Sequence, residues 1–342
     1  MPDRNETPEK SITLIDDRYG LPYSKGLMAS TIMATGIPPR QAYEVARKVE
    51  DVLREANLHS ISVDELRYLV HHLLREQAGD VYARRYLEWL ALARLKRPVI
   101  ILIGGTTGVG KSTIAAELAH RLGITRLIST DSIREIMRSL FSEEFMPAIH
   151  ESSFLAHTRL KFPLPHEVDP LILGFREQAE VVSVGVKAMI QRSIKEASHM
   201  VLEGVHIAPG FVDTSVDPER AVVVTAVVVA EKPEQHKSHF YVREIETQGY
   251  RAVEKYRSNF ESIRKIGEYI EQLTAQYGYE KVSGLDIDRA VLRMIDIVMD
   301  RVASSPDVRE TANDMERSSD AWKRRWDKWA RARSKKAEEV GQ

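Results

Sequence analysis

Apolar positions along this chain follow two rhythms. From residue 27 to residue 95 they recur at helical spacing: Val45, Val49, Val52 and Leu53 form one stripe, and Leu66, Leu69, Val70, Leu73 and Leu74 another. Pro38 and Pro39 open the first helix, and Ser62 with Glu65 forms a capping-box signature for the second. The pattern stops at Arg97 and Pro98. From Val99 short β-rich runs alternate with helical stretches: VIILI, a helix from Lys111, LIS before Asp131, MVLE, and AVVVTAVVVA. Such alternation predicts a parallel sheet. A long amphipathic helix bearing Phe175, Ala179, Val182, Val186, Met189, Ile190 and Ile194 on one face is expected to pack on it. The fold expected is therefore α/β, a doubly wound parallel sheet preceded by a small helical domain, with the boundary near residue 97.

Beyond Glu231 the chain turns to polar helix with Arg243, Arg251, Lys255, Arg257, Arg264 and Lys265, and no internal repeat is visible. The last stretch, DAWKRRWDKWARARSKK, places Trp322, Trp326 and Trp329 on one helical face among many cations. It reads either as a docking helix or loose tail, or as a helix for a membrane surface or a partner. The divisions expected are residues 10–95, 97–300 and a polar, basic tail at 301–342.

Composition narrows the chemistry. The 342 residues are 43 % hydrophobic and 29 % charged, enough for roughly two domains with their own cores. The formal net charge of −1 supplies no global field for nucleic acid or an anionic membrane, so an anion site must be built locally. There is no cysteine, which excludes disulfides, thiolate metal sites and thiol nucleophiles. The opening residues lack the apolar core of a secretory signal, and the apolar runs fall short of the roughly 20 residues a bilayer span requires, so a cytoplasmic address is expected.

The local anion site is legible at residues 104–113, GGTTGVGKST. Gly105, Thr106, Thr107, Gly108, Val109, Gly110, Lys111 and Ser112 satisfy G-x-x-x-x-G-K-S/T between a strand and a helix, and Thr113 follows. The glycines let backbone N–H groups turn toward phosphate oxygens at the positive end of a helix dipole. Lys111 is placed to reach the β- and γ-phosphates of a nucleotide, and the Ser112 hydroxyl to complete the shell of Mg²⁺. Asp131, after the second strand, falls on the same sheet edge. It either orients an acceptor hydroxyl for in-line attack, with Arg134 gripping an acceptor anion, or caps a helix with Ser132 and Glu135 in a capping box. Glu203 ends the next strand and serves either metal and water or the loop backbone; His206 is a further ligand contact or a structural hydrogen bonder. The segment from His236 has the character of a helical lid in which Arg243, Arg257 and Arg264 are the candidates to close over transferring phosphates.

GGTTGVGKSTIAAELAHRLGI, ISTDSIREIMR, EGVHIAPG and YRSNFESIRKI, in that order, resemble the archaeal-type 2-phosphoglycerate kinase family over residues 23–270. PYSKGLMASTIMATGIPPRQAYEVARKVEDVL is similar to the N-terminal ATP-cone-like module found in that family. The resemblance implies a P-loop kinase that uses ATP and Mg²⁺ to convert 2-phosphoglycerate to 2,3-bisphosphoglycerate. It assigns Lys111 and Ser112 to nucleotide and metal, Asp131 to the acceptor hydroxyl and Arg134 to the acceptor anion. Two departures stand out. Asp16-Asp17-Arg18-Tyr19-Gly20 replaces a more cationic turn, leaving Tyr23, Ser24 and Lys25 as the best match to a regulatory nucleotide site, and His239 stands where a further cation is expected. The helical domain alternatively serves structure or self-association. Two rival functions are a kinase for another small anion such as mevalonate 3-phosphate, and a non-catalytic adenine-nucleotide sensor.

Overall fold

The computed structural model describes residues 13–15, 20–58, 60–161, 165–246 and 253–340. It divides into two units, Met1–Leu95 with Val302–Gln342, and Lys96–Arg301. In the first, strands β1 (Thr13–Ile15) and β2 (Gly20–Pro22) pair antiparallel. Helices α1 (Lys25–Met33) and α2 (Pro39–Glu55) follow, then β3 (Ser60–Ser62), which pairs parallel with β1, then α3 (Val63–Ala78) and α4 (Asp80–Arg94). Ala42, Val45, Ala46, Val49 and Leu53 are the buried face of α2. Both hydrogen bonds of the Ser62–Glu65 capping box form at the start of α3. The unit expected to be helical thus also carries a three-stranded sheet. Asp16–Tyr19 lies outside the described residues, and the three best-matching residues are engaged within the unit. Tyr23 donates to the Ala46 carbonyl at 2.9 Å, Ser24 caps α1, and Lys25 pairs with Glu50 at 2.9 Å, which holds the Glu50 carboxyl below its usual range.

The second unit begins with β4 (Val99–Gly104), buried at every position as a central parallel strand must be. Then come α5 (Lys111–Arg121), β5 (Leu127–Ser129), α6 (Thr130–Leu140), two 3₁₀ turns (Pro147–His150 and Ala156–Arg159), α7 (Pro170–Lys195), β6 (Met200–Glu203) and β7 (Val222–Val229). Helices α8 (Pro233–Glu246), α9 (Val253–Ser258) and α10 (Phe260–Tyr277) lead to β8 (Glu280–Ser283) and α11 (Ile287–Ala303). The sheet order is β5-β6-β4-β7-β8, with all four pairings parallel. Phe175, Ala179, Val182, Val186 and Ile190 of α7 pack on one face with Ile100 and Leu102 of β4, Leu202 of β6 and Val227 and Val229 of β7. Since β4 crosses to β5 in one direction and β5 to β6 in the other, right-handed crossovers put α5 and α6–α7 on opposite faces. This is the expected doubly wound α/β fold. β8 was not apparent in the apolar pattern because Val282 is its one buried residue.

The chain closes with α12 (Pro306–Val340), 35 residues long. Residues 302–340 are not a separate tail: α12 packs on α3 and α4 within the first unit, where Val308, Ala312, Met315 and Trp322 are buried. Trp322 stacks on His72 at 6.3 Å between ring centroids, and His71 Nδ1 meets the Ser319 hydroxyl at 2.9 Å. That is the docking-helix alternative. Among the described residues, no helix is long and apolar enough to cross a membrane.

Candidate active site

The carboxyl ends of β4, β5, β6 and β7 lie side by side, as the strand order requires. Register aligns Ile103 with Glu203 and Glu203 with Ser129, so the phosphate loop, the Glu203 carboxylate and the start of α6 open from one row of the sheet. In such folds ligands bind at this edge, where successive crossovers diverge.

The loop leaves β4 and enters α5 through Gly110, whose left-handed backbone (φ 89°) is the N-cap and supplies no side-chain cap. The first N–H groups of α5 therefore lack a side-chain acceptor, as an anion site requires. Gly108 has φ 84°, and a Cβ there would lie 2.4 Å from the Phe240 ring, so α8 sits directly against the loop. Lys111 is buried and donates to the Thr106 carbonyl at 2.8 Å. Burial pushes its ammonium pKa down, and the negative charges of Glu203 and Asp131 oppose that shift. Both carboxylates therefore act on the ammonium that is expected to meet the phosphates.

Ser112 and Glu203, 91 residues apart in sequence, meet in a 3.0 Å hydrogen bond from the Ser112 hydroxyl to Glu203 Oε1. Glu203 is 6 % exposed, and the chain leaves its strand through Gly204, where φ is 151° and a Cβ would stand 1.8 Å from Thr130 Oγ1. A hydroxyl and a carboxylate beside a phosphate loop are hard oxygen donors of the kind Mg²⁺ takes. Among the described residues no group of three or more His, Cys, Asp or Glu could hold a metal by itself. The Ser112 hydroxyl and Glu203 carboxylate fit such an ion where nucleotide phosphates supply the remaining oxygen ligands.

Asp131 lies in the first turn of α6, and its side chain is 70 % exposed. The capping alternative does not hold: Ser129 is the N-cap, accepting from Ser132 N at 3.1 Å, and Glu135 instead pairs with Arg138. Arg134 Nε lies 3.5 Å from Asp131 Oδ1, while its Nη1 donates to the Ile149 and Glu151 carbonyls at 2.9 and 3.2 Å. Arg134 thereby ties the first 3₁₀ turn to α6 and keeps one side of its guanidinium toward Asp131.

His206 has both ring nitrogens engaged inside the protein. It is fully buried, with Nδ1 2.8 Å from the Thr130 hydroxyl and Nε2 2.9 Å from Gln178 Oε1. The Gln178 amide nitrogen donates to the Ala148 and Glu151 carbonyls, which leaves Oε1 to accept from His206 Nε2–H. In the neutral form that burial favours, Nδ1 then carries the lone pair and accepts from the Thr130 hydroxyl. Burial pushes its pKa down to about 4, with Asp131 acting in the other direction. It is the structural hydrogen bonder of the two alternatives, bracing the residue before Asp131 against the turn that Arg134 also holds.

The lid candidates divide. Arg264, on α10, donates to the Ala230 carbonyl at 2.6 Å, just beyond β7. Arg257 is exposed on α9. Arg243 is on α8, in the part of that helix whose side chains lie outside the described residues. The contacts that do join α8 and α10 to the loop come from other residues. His236 Nε2 is 2.7 Å from the Thr107 carbonyl, His239 Nδ1 is 2.9 Å from the Gly108 carbonyl, and Thr106 Oγ1 donates to the Ile263 carbonyl at 3.0 Å. Sequence reasoning noted His239 only as a departure from an expected cation and missed its pairing with His236; the signal was two histidines three residues apart, on one face of the helix that follows a buried strand.

No family model matches the chain. Curated proteins do. The 2-phosphoglycerate kinase of Methanopyrus kandleri is 37 % identical over 284 residues, covering 83 % of this chain and 86 % of the relative. That of Methanothermobacter thermautotrophicus is 38 % identical over 270 residues, or 79 % and 88 % of the two chains. That of Pyrococcus furiosus is 36 % identical over 286 residues, or 84 % and 92 %. On identity and coverage of this extent, the chain belongs to the archaeal-type 2-phosphoglycerate kinase family.

Proposed function

We propose that this chain transfers the γ-phosphoryl group of ATP to the free hydroxyl of 2-phosphoglycerate, giving 2,3-bisphosphoglycerate and ADP. The observation that carries the reading is the alignment of the phosphate loop, the Ser112–Glu203 pair and Asp131 on one sheet edge, in a chain of this family. The acceptor oxygen forms a bond to the γ-phosphorus as the bond to the β–γ bridging oxygen breaks, and the hydroxyl proton leaves toward the Asp131 carboxylate. Asp131 orients the hydroxyl, and its exposure leaves it accessible to an acceptor. Arg134, whose Nε side lies beside Asp131, is the residue assigned to the acceptor anions. Loop N–H groups and Lys111 hold the nucleotide phosphates, and Arg243, Arg257 and Arg264 are the lid cations assigned to the charge that spreads over the transferring group. Ser112 and Glu203 are the residues to hold Mg²⁺, which when bound neutralises charge on the phosphate oxygens.

Both rivals of the sequence reading have less support. The relatives named above are called kinases of 2-phosphoglycerate, not of mevalonate 3-phosphate, and a pure nucleotide sensor has no need of an aspartate beside the loop. The test is ADP release from Mg²⁺-ATP with and without 2-phosphoglycerate, with the product followed by phosphorus NMR. Acceptor-dependent ADP release with a new bisphosphate resonance is expected. Turnover of mevalonate 3-phosphate alone, or hydrolysis without an acceptor, would overturn the assignment.

A further inference from the structure

The two lid histidines stand in an unusual relation to the phosphate loop: each points at a backbone carbonyl, not at the space where an anion would lie. A carbonyl only accepts, so His236 must carry its proton on Nε2 and His239 on Nδ1. His236 Nδ1 is buried without a hydrogen-bond partner, and burial pushes the ring's pKa down to about 4. Neutral donation to the loop is what the pocket accommodates.

The consequence follows from peptide geometry. In a planar trans peptide the C=O of one residue and the N–H of the next point in opposite directions, and there are no cis bonds among the described residues. Holding the Thr107 carbonyl therefore aims the Gly108 N–H away from His236. Holding the Gly108 carbonyl aims the Val109 N–H away from His239. The Lys111 bond to the Thr106 carbonyl does the same for the Thr107 N–H. Three consecutive peptides of the loop thus have their carbonyls held, one by the loop's own Lys111 and two from outside by α8. The Phe240 ring, stacked on His236 with centroids 5.3 Å apart, fills the space where a Gly108 Cβ would be and keeps α8 in register with the loop.

We propose that His236 and His239 are positioning residues for the nucleotide phosphates: donating from the lid helix to the Thr107 and Gly108 carbonyls, they fix the Gly108 and Val109 N–H groups as anion donors. Lid and phosphate loop then bind a polyphosphate as one unit. The inference rests on residues 104–113 being the nucleotide site, and not on the identity of the acceptor.

The test is calorimetric titration of the full chain with Mg²⁺-ATP and with inorganic tripolyphosphate, which has no base or ribose. His239→Ala, at a partly exposed position, is expected to weaken both ligands about five- to tenfold, the range for one lost hydrogen bond. His239→Asn keeps a donor near the Nδ1 position and is expected to restore both affinities to within about twofold. His236→Gln, which keeps a donor near Nε2, is expected to bind more tightly than His236→Leu. A folded His239→Ala with unchanged affinity for both ligands would overturn the proposal. So would loss of ATP affinity alone, because the fault would then lie at the base, or equal losses in His239→Ala and His239→Asn. Failure of 2-phosphoglycerate to accept phosphate would count against the proposed reaction and leave these affinities unchanged.

Discussion

Ser112 donates its hydroxyl hydrogen to Glu203 Oε1 at 3.0 Å, joining the first turn of α5 to the last residue of β6. A neutral amide at position 203 keeps the size of the side chain and loses the charge a divalent cation needs. Glu203→Gln is expected to raise the Mg²⁺ concentration for half-maximal activity by roughly 10- to 100-fold, the usual loss when a partner of a metal ligand changes. The melting temperature should move little. The check is a Mg²⁺ titration of activity at saturating ATP, and an unchanged half-saturation point would assign Glu203 to holding the loop.

In the proposed reaction Asp131 acts on the acceptor, so its loss should fall on turnover. Asp131→Asn is expected to lower kcat by roughly a hundredfold or more, the lower range for a positioned acid–base group, with ATP affinity within about twofold of wild type. Steady-state kinetics with each substrate varied in turn, alongside direct ATP binding, separates the two effects. Equal losses in ATP affinity and turnover would move Asp131 to a metal or structural role.

The parallel sheet was legible because β4 and β6 are buried at every position and β7 at six of its eight, and the phosphate loop because its spacing is fixed by the backbone turn it makes. Pairing was not legible. Nothing in MVLEGVH or GKST says that Glu203 and Ser112 touch, since that contact comes from strand order, which places β6 beside β4. β8 escaped notice because Val282 is its one buried residue, and the three-residue strands of the first unit because, unlike LIS, they do not stand between helices in the alternation that follows Val99. The tryptophan spacing of the last helix announced an apolar face, yet its partners, His71 and His72, lie nearly three quarters of the chain away.

That helix supplies a stability test. Trp322 is 4 % exposed, stacks on His72 and lies 5.1 Å from the Trp326 ring. Truncation leaves a large void beside two buried histidines. Trp322→Ala is expected to lower unfolding free energy by about 3–5 kcal/mol, the range for aromatic truncation in a core. Urea unfolding followed by far-UV circular dichroism measures it, and a loss under about 1 kcal/mol would mean that α12 contributes little to holding α3 and α4.

His206 makes stability depend on pH in a defined window. Burial is the main cause that holds its folded-state pKa down at about 4, against about 6.5 for a histidine in an unfolded chain. Between those values the unfolded chain binds the proton and the folded one does not, so stability rises with pH there. The stabilisation is fully present above about pH 6.5, declines as pH falls, and is gone below about pH 4. At pH 5 the loss from this one site is about 2 kcal/mol on the linkage relation. Wild-type stability falls by more than that, because His71 is held down to about 3 and His236 to about 4 by the same desolvation. His206→Gln keeps a donor for Gln178 Oε1 and removes the titration. Its stability is therefore expected to fall less steeply than that of wild type between pH 7 and pH 5, by about 2 kcal/mol over the interval. Urea midpoints of both proteins at half-unit pH steps give the difference. Parallel curves would mean that the folded protein accommodates a protonated His206, with Asp131 as its counter-charge.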